Sequence, residues 1–172
     1  MAEVIEALRH GAAHWPSRIA FRDHMGEVSY GALARRVAGI METLRGGDTP
    51  IGLMAENGIG WVAADLAVTA SGRRFVPLPP FFSDDQLLHV VKDSGLGLIL
   101  ADDALIERAA RFAPVSPIPG DESDASALAG ALPGERIIYT SGSTGQPKGV
   151  LPRHRQPAPV RARPPAALRR TP

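Results

Sequence analysis

Short apolar runs that alternate with helical patterns constrain this chain more than any other feature. The stretch from Pro50 to Ala55, with Ile51, Leu53 and Met54, reads as a buried strand, and so do Phe75-Val76-Pro77-Leu78 and the run from Leu96 to Leu100. Each is too short for a stable helix and is apolar on both faces, so each needs cover from above and below. The segments between them have helical spacing. Strands that alternate with helices in this way imply an α/β fold, a largely parallel sheet flanked by helices, in which ligands bind beyond the carboxyl ends of the strands.

Local signals place the element ends. Residues 1–14 read as a helix with Val4, Ile5 and Leu8 on one side, stopped at Trp15-Pro16 because the residue before proline is pushed out of the helical region. The strand Arg18 to Arg22 turns at His24-Met25-Gly26-Glu27 back to Val28, a hairpin. Ser29 caps a helix whose apolar positions are Leu33, Val37, Ile40, Met41 and Leu44, and Gly46-Gly47 end it. A further helix runs from about Ile59 to Ala70. Ser83 and Gln86 form a capping box, Phe82 and Leu87 a hydrophobic staple, and Gly95 closes the helix between. Ala104 to Phe112 reads as helix, and Pro114 to Leu132 as a polar connection with one weak helical turn. Arg136 to Thr140 is the last strand.

Composition excludes several functions. The chain is 44% hydrophobic and 22% charged, the range of an ordinary soluble protein. It contains no cysteine, which removes disulfides, thiolate metal sites and cysteine nucleophiles together. No apolar run reaches the roughly 18 residues of a membrane span, and Glu3 and Glu6 stand where a signal peptide would need positive charge. The expected location is cytoplasmic. His10 and His14 are four residues apart, but no carboxylate follows at useful spacing, so no metal ligand is assigned. Trp61 and Phe75 are expected in the core, and Asp65 is expected to face solvent. Asp84 and Asp85 suit the first turn of a helix, where the dipole favours acids.

The chemistry concentrates between Thr140 and Gly149. Ten residues there hold three glycines, four hydroxyls and one lysine. Glycines let successive N–H groups turn inward as a nest, hydroxyls donate to phosphate oxygens, and Lys148 adds a full charge. The spacing is wrong for the nucleoside triphosphatase P-loop, which needs four residues between its first glycine and Gly-Lys, and for the dinucleotide fingerprint, which needs Gly-x-Gly.

The string YTSGSTGQPKGV resembles, essentially letter for letter, the phosphate-loop motif of the adenylate-forming (AMP-binding) superfamily: acyl-CoA synthetases, peptide-synthetase adenylation domains and luciferase-like enzymes. The likeness extends through residues 1–150, where Pro16 to Phe21, Ser29 to Leu33, Ile51 to Met54, Leu66 to Val68, Phe75 to Leu78 and Asp93 to Gly95 fall in the family's order. The resemblance implies the N-terminal part of an AMP-binding adenylation domain, a partial lobe ending in the phosphate loop. It implies that a carboxylic acid attacks ATP, with Mg2+, to give an acyl-adenylate, and that CoA then accepts the acyl group as a thioester. This is the acyl-CoA synthetase branch, with its place in fatty acid metabolism. By resemblance Thr140, Ser141, Ser143 and Thr144 supply hydroxyl contacts, Gly142, Gly145 and Gly149 supply backbone geometry, and Lys148 neutralises charge as the one catalytic candidate. The acid is left open among short, long, aromatic and amino acids.

The family pattern is expected to stop soon after this loop. Arg153 stands where the family has a hydroxyl, His154-Arg155 still fit, and residues 157–172 are almost entirely Pro, Ala and Arg. Residues 151–172 carry six arginines and no acid, whereas residues 1–150 have thirteen basic against eighteen acidic residues, a net charge of −5. A segment so poor in apolar periodicity is expected to be disordered, and its composition resembles GC-rich coding sequence read out of frame. The expectation is therefore a truncated or frameshifted chain, inactive alone. One alternative is a nucleotide-binding or regulatory fragment that pairs with a full-length relative or with a separately encoded, complementing C-terminal half. Another is nucleic-acid binding through the arginines, which lack aromatic neighbours for stacking.

Overall fold

The computed structural model describes residues 2–120, 128, 132, 134–141 and 147–151. It begins with helix α1 (Ala2–His14), followed by the hairpin β1 (Ile19–Arg22) and β2 (Glu27–Ser29) and by α2 (Tyr30–Thr43). Strand β3 (Ile51–Met54), helix α3 (Ile59–Ala70), strand β4 (Phe75–Pro77), helix α4 (Asp84–Ser94) and strand β5 (Leu98–Ala101) then alternate. A short helix α5 (Ile106–Ala109) and strand β6 (Val115–Pro117) follow, then β7 (Ile138–Ser141) and β8 (Pro147–Val150).

The main sheet has the order β4-β3-β5-β6, and every neighbouring pair is parallel. This is the flanked parallel sheet that the alternation implies. Its register divides the side chains between two cores. Ile51, Leu53, Phe75 and Leu100 face α1, α2 and α3, whereas Met54, Val76, Ile99 and Ala101 face α4 and α5. All four residues of β3 are buried, as expected for a strand covered on both sides.

The predicted caps are in place. Ser29 Oγ accepts from Ala32 N at the start of α2. At α4 both halves of the Ser83–Gln86 box form, Phe82 and Leu87 share a buried cluster, and Gly95 ends the helix in the left-handed region at φ 67°.

Several expectations need correction. In α1, Ile5 and Leu8 are buried but Val4 faces solvent, because the helix presents only a narrow stripe to α2. The helix expected from Ala104 to Phe112 has α geometry only at Ile106–Ala109, with turns at each end. Within the expected polar connection, Val115–Pro117 forms β6, an edge strand recruited by β5. Asp65 does not face solvent: its side chain is 13% exposed and pairs with Arg136. Phe75 is fully buried, with the half-buried Trp61 edge-on to it at 6.1 Å between ring centroids.

Candidate functional site

The segment that precedes the glycine loop first docks on the main sheet and then leaves it. Phe75 N donates to Glu135 O and Ile137 N to Phe75 O, both at 2.8 Å, so Arg136 bridges β4 in parallel. The strand expected over Arg136–Thr140 continues instead as β7, which pairs antiparallel with β8. Pro147, Lys148 and Gly149, expected within the loop, are thus part of a strand, because the chain returns and takes up the ladder bonds of β7. The register pairs Tyr139 with Gly149, Thr140 with Lys148 and Ser141 with Pro147. Of the predicted site residues, Gly142, Ser143, Thr144 and Gly145 lie outside the described residues, as do the tail positions from Pro152 onward.

Directly paired residues of an antiparallel ribbon share one face. Thr140 and Lys148 are both exposed, whereas Tyr139 on the opposite face is buried. The ribbon therefore displays a hydroxyl and an ammonium side by side, two donors suited to one oxyanion. Gly149, expected to supply backbone geometry, lies in β8 opposite Tyr139. A β-carbon there would lie 3.0 Å from Tyr139 Cζ and 3.2 Å from Ile137 Cγ2, so glycine leaves room for the tyrosine ring.

Three side-chain anchors fix the ribbon, and none was read from the sequence. Tyr139 Oη donates to Asp93 Oδ2 at 2.6 Å, and burial, followed by the Asp93 carboxylate, pushes the phenol far above its ordinary range. His89 Nε2 lies 3.0 Å from Pro147 O; a carbonyl only accepts, so Nε2 carries the hydrogen. On the other face of the sheet, Asp65 of α3 pairs with Arg136, whose guanidinium stands 4.9 Å from the Phe75 ring centroid. Burial raises the Asp65 carboxyl despite that cation. The only sequence signal for these pairs is a polar residue on an otherwise apolar helix, as at Asp65.

A separate cleft of about 530 Å³ opens at the carboxyl ends of β3 and β4, between Glu56, Asn57, Trp61, Pro80 and Phe81. The neighbouring crevice between β3 and β5, where the strand order reverses, is closed by Asp102, whose carboxylate accepts from Glu56 N at 2.8 Å and Leu105 N at 3.0 Å. His10 and His14 stack on each other with centroids 4.1 Å apart. Among the described residues no group of three His, Asp or Glu could hold a metal ion. No described helix is long and apolar enough to cross a membrane.

A family model for "AMP-binding enzyme" matches residues 8–159, most of the chain. This chain belongs to the AMP-binding, adenylate-forming family. Among its curated relatives, bacitracin synthase 3 of Bacillus licheniformis is 33% identical over 83% of the chain. The phosphinothricin tripeptide synthetase PhsB of Streptomyces viridochromogenes is 32% identical over 89%. The AMP-binding chain spans only 2% and 14% of those two proteins. Among solved structures, holo-AB3403, a four-domain nonribosomal peptide synthetase bound to AMP and glycine, superposes with a TM-score of 0.71 at 28% identity. The match covers 86% of this chain and 11% of that one. VinN superposes at 0.68 with 28% identity, covering 86% of this chain and 44% of its own. A fatty acyl-adenylate ligase from L. pneumophila shares the fold, with a TM-score of 0.68 at 21% identity.

Proposed function

We propose that residues 140–149 form the polyphosphate-binding part of an enzyme that activates a carboxylic acid with ATP. In that reaction a carboxylate oxygen attacks the α-phosphorus, the bond to the β-phosphate breaks, and pyrophosphate leaves with its electron pair. A thiol then displaces AMP from the acyl-adenylate. The observation that supports the reading is the exposed Thr140–Lys148 pair at the two ends of the glycine loop. Pyrophosphate gains charge as it departs, and donors fixed around the β- and γ-phosphates stabilise that charge more in the transition state than in the ground state.

In this reading Lys148 neutralises the leaving group and Thr140, Ser141, Ser143 and Thr144 donate hydroxyl hydrogen bonds. Gly142 and Gly145 let the backbone approach the phosphates, and Gly149 acts at one remove through the packing of Tyr139. Mg2+, which the family resemblance implies, would accompany the phosphates of ATP and offset their charge. For the acid, the relatives named as peptide synthetases favour an amino acid over a fatty acid. A carrier-bound thiol accordingly joins CoA as a candidate acceptor.

The test is calorimetric titration of the full chain with MgATP, beside Lys148→Ala. Losing one charge-assisted contact removes about 1.5–3 kcal/mol, so affinity is expected to fall by roughly one to two orders of magnitude. Equal affinity in the two proteins, or none in the wild type, would overturn the reading.

A further inference from the structure

We infer that Asp93 and His89 are positioning residues for Lys148, holding the β7–β8 ribbon on α4 so that the ammonium stands beside Thr140. The inference rests on the phosphate-binding reading of Lys148. A two-stranded ribbon is marginal by itself, and among the described residues this one has no ladder pairing with the main sheet beyond the single bridge between Phe75 and Arg136, the rest of its contact with the fold being packing on β4 and α4. Backbone pairing therefore leaves its angle to the sheet weakly determined. Side chains supply what is missing.

The two anchors act at matched places. Tyr139 immediately precedes Thr140 on β7, and Pro147 immediately precedes Lys148 on β8. Asp93 holds the first through the 2.6 Å bond from the tyrosine hydroxyl, and His89 holds the second through the Pro147 carbonyl at 3.0 Å. His89 and Asp93 are four residues apart on α4 and share one of its faces. One helix face thus grips both strands of the ribbon, each one residue before a donor. Gly149, the cross-strand partner of Tyr139, leaves the ring its space beside β8.

A role confined to stability would lower the melting temperature and leave the affinity of the folded protein unchanged. Positioning changes affinity in the folded protein and works only through Lys148. Tyr139→Phe keeps the ring and removes the hydroxyl; Asp93→Ala removes the acceptor; Asp93→Asn restores an acceptor. Each is titrated as the full 172-residue chain with MgATP and with inorganic pyrophosphate, at a temperature where circular dichroism shows it folded. Tyr139→Phe and Asp93→Ala are expected to bind both about tenfold more weakly, the scale of one lost hydrogen bond to a charged group. Asp93→Asn is expected to recover most of that loss. Combining Tyr139→Phe with Lys148→Ala is expected to cost no more than Lys148→Ala alone, because the two changes remove one interaction. If Lys148→Ala weakens binding while Tyr139→Phe and Asp93→Ala leave it unchanged, or if the double variant loses the sum of both effects, the positioning role is overturned and the phosphate-binding reading stands. A wild type without affinity overturns both.

Discussion

Gly11 illustrates how a residue that weakens its own element can be required by the next. Glycine in the middle of a helix costs about 0.5–1 kcal/mol relative to alanine, and α1 carries one in its third turn. The structure supplies the reason: a β-carbon on Gly11 would stand 2.6 Å from Cε1 of Tyr30, at the start of α2, and closer still to its Cδ1, far inside van der Waals contact. An aromatic ring cannot fold away as a lysine can, so α1 and α2 would have to separate. Gly11→Ala is therefore expected to destabilise the chain by about 1–3 kcal/mol, the usual cost of overpacking, despite its better helix propensity. In a Tyr30→Ala background the same substitution is expected to be neutral or stabilising. Paired thermal melts of the four proteins decide it; a Gly11→Ala protein that melts higher than wild type would show that the ring moves aside freely.

Among the elements, α4 carries the most consequence, because it bears both Asp93 and His89. Its start is held by the Ser83 hydroxyl, which accepts from Gln86 N at 3.3 Å, while Gln86 Oε1 accepts in return from Ser83 N at 3.0 Å. Ser83→Ala is expected to lose about 1 kcal/mol, within the ordinary range for an N-cap, measured as a lower urea midpoint at unchanged slope. An unaltered midpoint would mean that Arg108, which bonds the Phe82 carbonyl and Asp84, holds this end without the serine. The start of α4 was legible from the sequence because Ser83, Gln86, Phe82 and Leu87 signal it within six consecutive positions. Strand β8 was not. Pro147, Lys148 and Gly149 are poor strand formers, and only the open edge of β7 makes them one. Strand β6 was hidden for the same reason, since Val115-Ser116-Pro117 is extended by virtue of lying beside β5. The family was legible because the string from Tyr139 to Val150 is long and specific to it. The supports of the β7–β8 ribbon were not, because Arg136 and Asp65 are 71 residues apart and Tyr139 and Asp93 are 46 apart. Such pairs exist only once the sheet has brought them together.

Across the whole molecule, the N-terminal hairpin is joined to the sheet layer by a cap supplied from a distance. Helix α3 begins after Gly58, which has no side chain to satisfy the first N–H groups. Asp23, in the β1–β2 turn, does it instead: Oδ2 accepts from Ile59 N at 2.7 Å, while Oδ1 accepts from Met25 N at 2.7 Å and Gly26 N at 2.9 Å. Glycine at position 58 is what admits the carboxylate, because a β-carbon there would stand 2.8 Å from Asp23 Oδ2. One carboxylate thus closes its own turn and caps a helix 36 residues away. The bond from Ile59, followed by those from Met25 and Gly26, holds its pKa below the ordinary value of 3.8. Because the folded pKa lies below the unfolded one, the stabilisation is fully present above about pH 5 and is lost as pH falls through the folded value. Asp84, lowered by Arg108 and then Arg111, adds to the same slope. Asp23→Asn keeps one oxygen acceptor but no charge, and so is expected to melt lower than wild type at pH 7. The gap is expected to narrow as pH is lowered from about 5 toward 2, because wild type alone loses the Asp23 contribution there. Melting curves for both proteins across that range provide the measurement. A gap that stays constant with pH would place the carboxylate's effect in the turn geometry alone, and would remove charge from the link between the hairpin and α3.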